Sequence, residues 1–143
     1  MDIFEIKTED LLKFRDPSFY EFCKECKQFG KRWSCPPVDL SVDELLPRDT
    51  SYVAIEYAHS DDVRKVLHKN IEAKLTYEYE IVFSAGHCNK CDVCLREKGE
   101  ICRNFHYSAE VLCLDMIRIF KFFTGIKLKL DDYNMIFIMQ GKR

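Results

Sequence analysis

Four cysteines close together in the sequence constrain this chain more than any other feature. Cys88, Cys91 and Cys94 are each separated by two residues, and Cys102 follows in the same stretch, CNKCDVCLREKGEIC. A separation of two residues lets a tight turn direct consecutive thiols at one point. The run C-x2-C-x2-C-x3-C-P is typical of iron–sulfur ligands, whereas zinc sites usually combine separated C-x2-C pairs. The stretch therefore predicts a metal site, with a [4Fe–4S] cluster favoured over zinc, although Cys102 lies further on than that run requires.

The total number of cysteines requires either disulfides or metal, because 8 occur among only 143 residues. The N-terminus, MDIFEIKTED, is acidic and has no long apolar run, so it predicts no signal peptide. No segment is long enough to span a bilayer, and we expect no membrane partner. We therefore predict a cytoplasmic protein. Since the cytosol keeps thiols reduced, metal binding is the better explanation of the cysteines.

Composition indicates a folded protein and gives no support for nucleic-acid binding. Apolar residues make up 47% of the chain and aromatic residues 13%, which suits a packed globule and excludes disorder. The formal net charge of -2 gives no reason to expect a nucleic-acid partner. The length predicts a single domain over residues 1–143, with 1–50 as an extension packed on 51–143.

A second group of cysteines, Cys23, Cys26 and Cys35, lies near the N-terminus. The first two share one face of a predicted helical turn with Phe19 and Phe22. The proline after Cys35 favours an extended, stiff backbone, which suits a thiolate that faces a metal. The sequence therefore predicts three further metal ligands, one fewer than a four-coordinate site requires.

Two pairings of the cysteine groups remain open. In the first, each group forms its own site, and the N-terminal group leaves one metal position without a protein thiolate. In the second, the sites are interleaved, as in two-cluster ferredoxins. Cys35 would then complete the first three cysteines of the later stretch, and Cys102 would join the N-terminal pair.

Other residues near these groups have weaker claims to a role. We predict Cys113 to be a small core residue in the middle of a helix, since free cysteine buries readily. His87 adjoins the later stretch and is predicted to donate a hydrogen bond rather than bind metal; His59, His68 and His106 have weaker claims still. Cations of the loop either keep it soluble or stabilise an anionic cluster: Lys90, Arg96, Lys98 and Arg103. Phe29 and Trp33 are predicted to shield a site from water.

Caps and hydrophobic periodicity predict the secondary structure. Residues 77–85 alternate in polarity and are rich in β-branched and aromatic residues, so we favour a strand there over a continued helix. In chain order the predictions are a helix over 8–14, helix starts at the capping boxes 18–21 and 41–44, a strand over 52–57, a helix from 60, the strand over 77–85, a helix that Ser108 caps, with Glu110 in its first turn and Gly125 just past its end, and strands over 126–130 and 133–139.

This order predicts an α+β fold, with β-α-β, a cysteine-rich insertion, and then α-β-β. A right-handed crossover would make strands 52–57 and 78–85 parallel, and a terminal hairpin would complete a four-stranded sheet. Two helices would cover one face of the sheet. The N-terminal cysteine group would pack beside the insertion as a helical extension.

The assembled motifs resemble the DUF2284 family of predicted metal-binding proteins. The resemblance covers residues 23 to about 116 and rests on these segments: Cys23-Lys-Glu-Cys26, Trp33-Ser-Cys35-Pro36-Pro37, Ala85-Gly86-His87-Cys88, Cys91 to Cys94, Cys102-Arg103, Ser108-Ala-Glu110 and Leu114-Asp115. The chain departs from the family pattern at Gly86-His87, where Gly-Pro is usual, and at Cys113, where a small residue, often glycine, is usual. The resemblance implies metal binding, and it implies no particular reaction.

These observations support three hypotheses about function. The favoured one is a small iron–sulfur protein with one or two clusters that exchanges electrons with a redox partner, the working cluster being held by Cys88, Cys91, Cys94 and Cys102. A second is a metalloenzyme with an open metal position at the N-terminal group. A third is a binding module with structural zinc. Whether the chain is an enzyme, and its oligomeric state, stay open at this point.

Overall fold

A four-stranded antiparallel sheet is the centre of the computed structural model, which describes residues 1–58, 60–85, 93–103, 105–126 and 134–143. Its strands are β1 (Asp2–Lys7), β2 (Thr50–Glu56), β3 (Tyr79–Ser84) and β4 (Met135–Lys142), in the order β1-β2-β4-β3. The α+β class and the four-stranded sheet that the sequence predicts are confirmed. Within the described ranges, none of the helices is long and apolar enough to cross a membrane.

The last strand, β4, lies in the interior of the sheet between β2 and β3. It pairs antiparallel with both, so β2 and β3 run in the same direction, as a crossover requires. They are not neighbours, however, because β4 is inserted between them. β1 completes the sheet beside β2 and was not predicted. The strand predicted over 126–130 falls mostly on residues outside the described part of the chain.

Helices cover both faces of this sheet rather than one. On one face, Val53 and Ile55 pack with Ile119 and Phe120. On the other, Ala54 packs with a cluster from helix α4 (Asp61–Glu78) and β4 that includes Ile71, Leu75, Phe137 and Met139. The difference from the predicted arrangement has a simple cause. β4 has six consecutive buried residues, Met135 to Gln140, and a strand buried on both faces needs cover on both.

Most predicted helix starts are found, with one correction. Helix α1 (Thr8–Leu11) continues as a 3-10 turn over Leu12–Phe14. Ser41 caps the short helix α3 (Val42–Leu45) and Ser60 caps α4, each accepting a backbone N–H at 3.3 Å. The predicted capping box at Ser18 is wrong: its hydroxyl donates to Asp16 Oδ1 at 2.6 Å instead of capping helix α2 (Phe19–Glu25).

The helix predicted between Ser108 and Gly125 is interrupted. Residues Ala109–Leu112 form a 3-10 turn, and helix α5 begins only at Met116 and runs to Thr124. Between them Cys113 has a left-handed backbone with φ of 53°. The interruption arises because this segment pairs with the chain before α2: Asp16 N donates to Cys113 O at 2.8 Å, and Asp115 N donates to Phe14 O at 2.9 Å. Gly125 ends α5 in a left-handed conformation, as predicted.

Candidate metal centre

The N-terminal cysteines lie at the end of α2 and in the loop that follows it. Cys23 is half-buried inside the helix, and Cys26, the residue after its last turn, is exposed. Cys35 is buried, with 8% of its surface exposed. The loop between them is closed by backbone hydrogen bonds, including Gly30 N to Pro36 O at 2.9 Å. Gly30 has φ of 74°, a conformation that favours glycine, so this residue lets the chain reverse and return Cys35 towards α2.

All three thiols line one cavity of about 420 Å³. A fourth cysteine, Cys113, and the acidic residue Glu110 also line the cavity. Its remaining wall is mainly apolar and includes Phe19, Phe22, Phe29, Pro36, Leu114, Met116 and Ile117. A volume of this size lies within the range of small-molecule and cofactor pockets, about 300 to 1,000 Å³. The predicted helical face that joins Phe19 and Phe22 to two thiols therefore lines a cavity.

Burial sets the titration of these thiols in the metal-free chain. It is the main reason that the pKa of Cys23 is raised to about 11, and the negative charges of Glu110, Cys113, Cys26 and Cys35 act in the same direction. Burial also raises the pKa of Cys35, against the effect of its contact with the Ser34 hydroxyl. Both thiols are therefore neutral near pH 7, and binding a metal as thiolates releases protons.

The later cysteine stretch packs directly against the loop of Cys35. Trp33 N donates to Cys94 Sγ at 3.4 Å, and Trp33 Nε1 donates to the backbone oxygen of Glu100 at 2.8 Å. Cys94 and Cys102 are half-buried. Cys88 and Cys91, like His87, lie outside the described residues. Whether the two groups form separate sites or interleaved ones therefore stays open.

Arg96 fastens the two stretches together. Its guanidinium donates to three backbone oxygens of the Cys35 loop, those of Arg32 at 3.2 Å, Cys35 at 2.9 Å and Pro37 at 2.9 Å. It also lies over the Trp33 ring, 5.0 Å from the ring centre. The planar fork of arginine suits such a set of acceptors, since several N–H groups point in fixed directions. Arg96 is therefore more than a cation that keeps a loop soluble.

The donor chemistry of the cavity fits a soft metal. Thiolates select zinc, copper(I) and iron–sulfur clusters over magnesium or calcium. In the described part of the chain, no three cysteine, histidine, aspartate or glutamate side chains are yet close enough to hold a single metal ion. Binding of one metal ion by the thiols that line the cavity would require them to move closer together, which would couple binding to local ordering.

Comparison with known proteins agrees with this chemistry. The model of the DUF2284 family, described as "Predicted metal-binding protein", matches residues 5–139. The chain belongs to this family. No curated protein and no solved structure matches it. DUF2284 membership supports metal binding as a property of this chain and leaves the metal to be inferred from the donor groups.

Two cavity residues of this DUF2284 protein were missed or misplaced by sequence reasoning. Cys113 is buried, with 7% exposure, but it sits at a turn on the cavity wall and not in the middle of a helix. Glu110 was predicted only as an acidic residue in the first turn of a helix. The signal available for Cys113 was the glycine usual at its position in the family, because glycine accepts a left-handed backbone.

The histidines lie elsewhere in the structure. His68 Nδ1 is 3.4 Å from Glu72 Oε2, and His106 Nε2 is 3.9 Å from Glu72 Oε1. His106 also contacts Thr76 Oγ1 at 3.2 Å. The cavity lining, among the residues described, includes neither histidine. His59 and His87 lie outside the described ranges.

Proposed function

We propose that this protein binds an iron–sulfur cluster through its cysteines and exchanges electrons with a redox protein partner. The observation that carries the proposal is the cavity that gathers the thiols of Cys23, Cys26 and Cys35 in an apolar wall. Such a wall limits the access of water to the half-buried Cys23 and the buried Cys35, while Cys26 stays exposed. Low solvent access is one of the factors by which a protein sets the potential of a cluster.

The surroundings of the later stretch support the same role. An iron–sulfur cluster supplies one-electron transfer at a potential set by its net charge, its burial and the hydrogen bonds to its sulfurs. Here the Trp33 N–H group already points at Cys94 Sγ. The Arg96 cation lies two residues from Cys94 and contacts the Cys35 loop. Cys88, Cys91, Cys94 and Cys102 are the ligands that we propose for the working cluster.

A redox partner could approach the cavity closely. Cys26 is exposed, and among the apolar residues that line the cavity Phe22 is 68% and Ile117 is 49% exposed. Weak electron-transfer encounters need only small contact areas. Because Phe22 and Ile117 line the same cavity as the cysteines, a protein docked on them would lie beside the site.

The volume of the cavity favours a second candidate, a metalloenzyme. With only three thiolates at the N-terminal site, one metal position would be open to a small molecule, as in catalytic metal sites. The apolar residues Phe19, Phe29 and Met116 would form the wall of such a pocket. Structural zinc is a third candidate, since the same thiols suit zinc.

Metal analysis of anaerobically purified protein separates these functions. We expect brown protein with iron and acid-labile sulfide, and a visible absorption that dithionite bleaches. Cys35→Ser should lose iron, whereas the matched control Ser108→Ala, which also lines the cavity but removes no thiol, should keep it. Colourless protein that holds stoichiometric zinc and no sulfide after reconstitution would exclude the iron–sulfur proposal. Binding of cyanide to the wild-type cluster would favour the metalloenzyme.

A further inference from the structure

We propose that Cys113 supplies the fourth thiol of the site formed by Cys23, Cys26 and Cys35. The eight cysteines would then divide into two groups of four, one around this cavity and one in the stretch from Cys88 to Cys102. The inference rests on the proposed function, metal binding through cysteines, and adds a ligand to it. The ligand class is one that takes four thiolates, a cubane iron–sulfur cluster or zinc.

The first support is the position of Cys113. It lines the same cavity as the three N-terminal thiols, although it follows them by almost 80 residues in sequence. The fold thus brings a fourth cysteine to the wall of the cavity that holds the other three.

The second support is the backbone of Cys113. Its φ of 53° makes it the one non-glycine residue with positive φ in the described ranges. Such a conformation is uncommon for residues with a Cβ, and strained residues of this kind cluster at functional sites. Glycine would adopt it more easily, so the presence of cysteine at this point calls for a role of the side chain.

The third support is the way in which the chain holds the cysteine-bearing segments together. Asp16 N donates to Cys113 O at 2.8 Å, which ties the approach to α2 to the turn of Cys113. Arg15 Nε adds a bond to Leu112 O at 3.0 Å. Ser108 N donates to Ser34 O at 2.7 Å, which ties the Cys35 loop to the same segment. The approach to α2 and the Cys35 loop are thus both anchored to residues 108–113.

This assignment changes the two pairings that the sequence left open. With Cys113 as a ligand, the N-terminal site has four thiolates and no longer needs Cys102, so interleaving is unnecessary. It also has no open metal position, which removes the structural basis for a metalloenzyme at this cavity. Cys102 stays with Cys88, Cys91 and Cys94.

The test compares wild type with Cys113→Gly after anaerobic reconstitution with iron and sulfide. Glycine suits a φ of 53°, so this variant removes the thiol while keeping the backbone. We expect it to lose iron to a chelator at least on the order of tenfold faster than wild type, because even outer-shell partners of a metal contribute 10-fold to 100-fold in affinity. We also expect cyanide to change its spectrum and to leave that of wild type unchanged.

Two further variants keep the test decisive. Cys113→Ser retains an oxygen donor and should hold iron better than Cys113→Gly, whereas a core role predicts no difference between them in iron retention. Met116→Leu keeps an apolar cavity wall and should behave as wild type. Iron retention and cyanide response equal to those of wild type in both Cys113 variants would overturn the inference and leave the proposed function intact. A wild-type protein that takes up neither iron nor zinc would overturn both.

Discussion

Single residues join the two cysteine stretches of this protein, and Arg96 is one of them. The three backbone oxygens that it reaches belong to the loop that carries Cys35, while Arg96 itself follows Cys94 by two residues. Trp33 contacts both residues: its backbone N–H donates to Cys94 Sγ, and its ring packs against the Arg96 guanidinium. Movement of one stretch is therefore transmitted to the thiols of the other.

Replacing Arg96 with lysine should loosen this junction. Lysine keeps the charge but cannot reach several acceptors in one plane or stack on Trp33 in the same way. We expect a loss of about 1.5 to 3 kcal/mol in the free energy of unfolding, the usual range for hydrogen bonds to charged groups. Urea unfolding of metal-loaded protein measures it. The exposed Arg103, changed to lysine in the same way, is the matched control, and equal midpoints for the two variants would contradict the role of Arg96.

His68 makes stability depend on pH. Burial is the main reason that its pKa is lowered from the ordinary value of 6.5; Glu72 opposes the shift, and Arg64 adds to it. Above pH 6.5 the side chain is neutral in both the folded and the unfolded chain. As the pH falls below that value the unfolded chain takes up the proton first, so the free energy of unfolding should decrease until the folded pKa is passed.

The His68→Phe variant isolates this contribution. It keeps a ring against Phe137, whose centroid lies 5.1 Å from that of His68, and removes the titration. Urea unfolding at several pH values should show a smaller loss of stability for the variant between pH 7 and about pH 5, the range below an unperturbed histidine pKa. If the free energy of unfolding falls with pH equally in wild type and His68→Phe, the pKa of His68 is the same in the folded and the unfolded chain.

At the scale of residues, sequence spacing succeeded where the local backbone is regular. The periodicity of α2 placed Cys23 and Cys26 beside Phe19 and Phe22, and all four line the cavity. It failed at Cys113, because apolar residues continue on both sides and conceal the turn. What decides the conformation there is pairing with residues 14–16, about 100 positions earlier in the chain, which local patterns do not contain.

At the scale of elements, the break before α5 is the largest departure from the predicted structure. Asp115 was read as an interior helical residue, yet its carboxylate accepts from Arg118 N at 3.1 Å and so caps α5. The cap matters because α5 has only 9 residues and buries Ile119 and Phe120 against the sheet. A sequence reading could have found this cap, since aspartate before an apolar run is a helix-start signal.

Removal of this cap should be measurable. Asp115→Ala should lower the free energy of unfolding by about 1 kcal/mol, the typical cost of losing an N-cap oxygen. Asp115→Ser keeps a capping oxygen and should lie within a few tenths of a kcal/mol of wild type. Thermal unfolding of the three proteins provides the comparison. If alanine and serine are equivalent, the carboxylate does not stabilise the start of α5.

β1 is the other element that was not predicted, although its sequence alternates between apolar and polar residues as a strand does. Phe4 and Ile6 alternate with exposed residues and pack against the core cluster on one face of the sheet. Alternation of this kind is typical of a half-buried strand. The order of the strands, by contrast, could not be predicted, because the position of β4 between β2 and β3 depends on contacts distant in sequence.

At the scale of the whole molecule, the sheet has stabilising contacts that are independent of the cysteines. Gln140 in β4 is fully buried, and its side-chain Nε2 lies 2.9 to 3.0 Å from Thr8 Oγ1, Ser51 Oγ and Arg48 O. These contacts join β4 to β2 and to the start of α1. Buried networks whose polar groups are satisfied make the surrounding structure rigid. The sheet therefore has a reason to persist without metal, whereas metal binding would order the thiols of the cysteine loops further.

Removal of metal should therefore unfold the molecule in part. In chelated protein we expect amides in residues 19–37 and 93–103 to exchange hydrogen faster, because ordering of the thiols is coupled to metal binding. Amides of β2 and β4 should keep their protection, since core strands open only at the highest free energies. Hydrogen exchange followed by mass spectrometry on loaded and chelated protein gives both results at once. Loss of protection in β4 together with the loops would instead mean that metal site and sheet unfold as one cooperative unit.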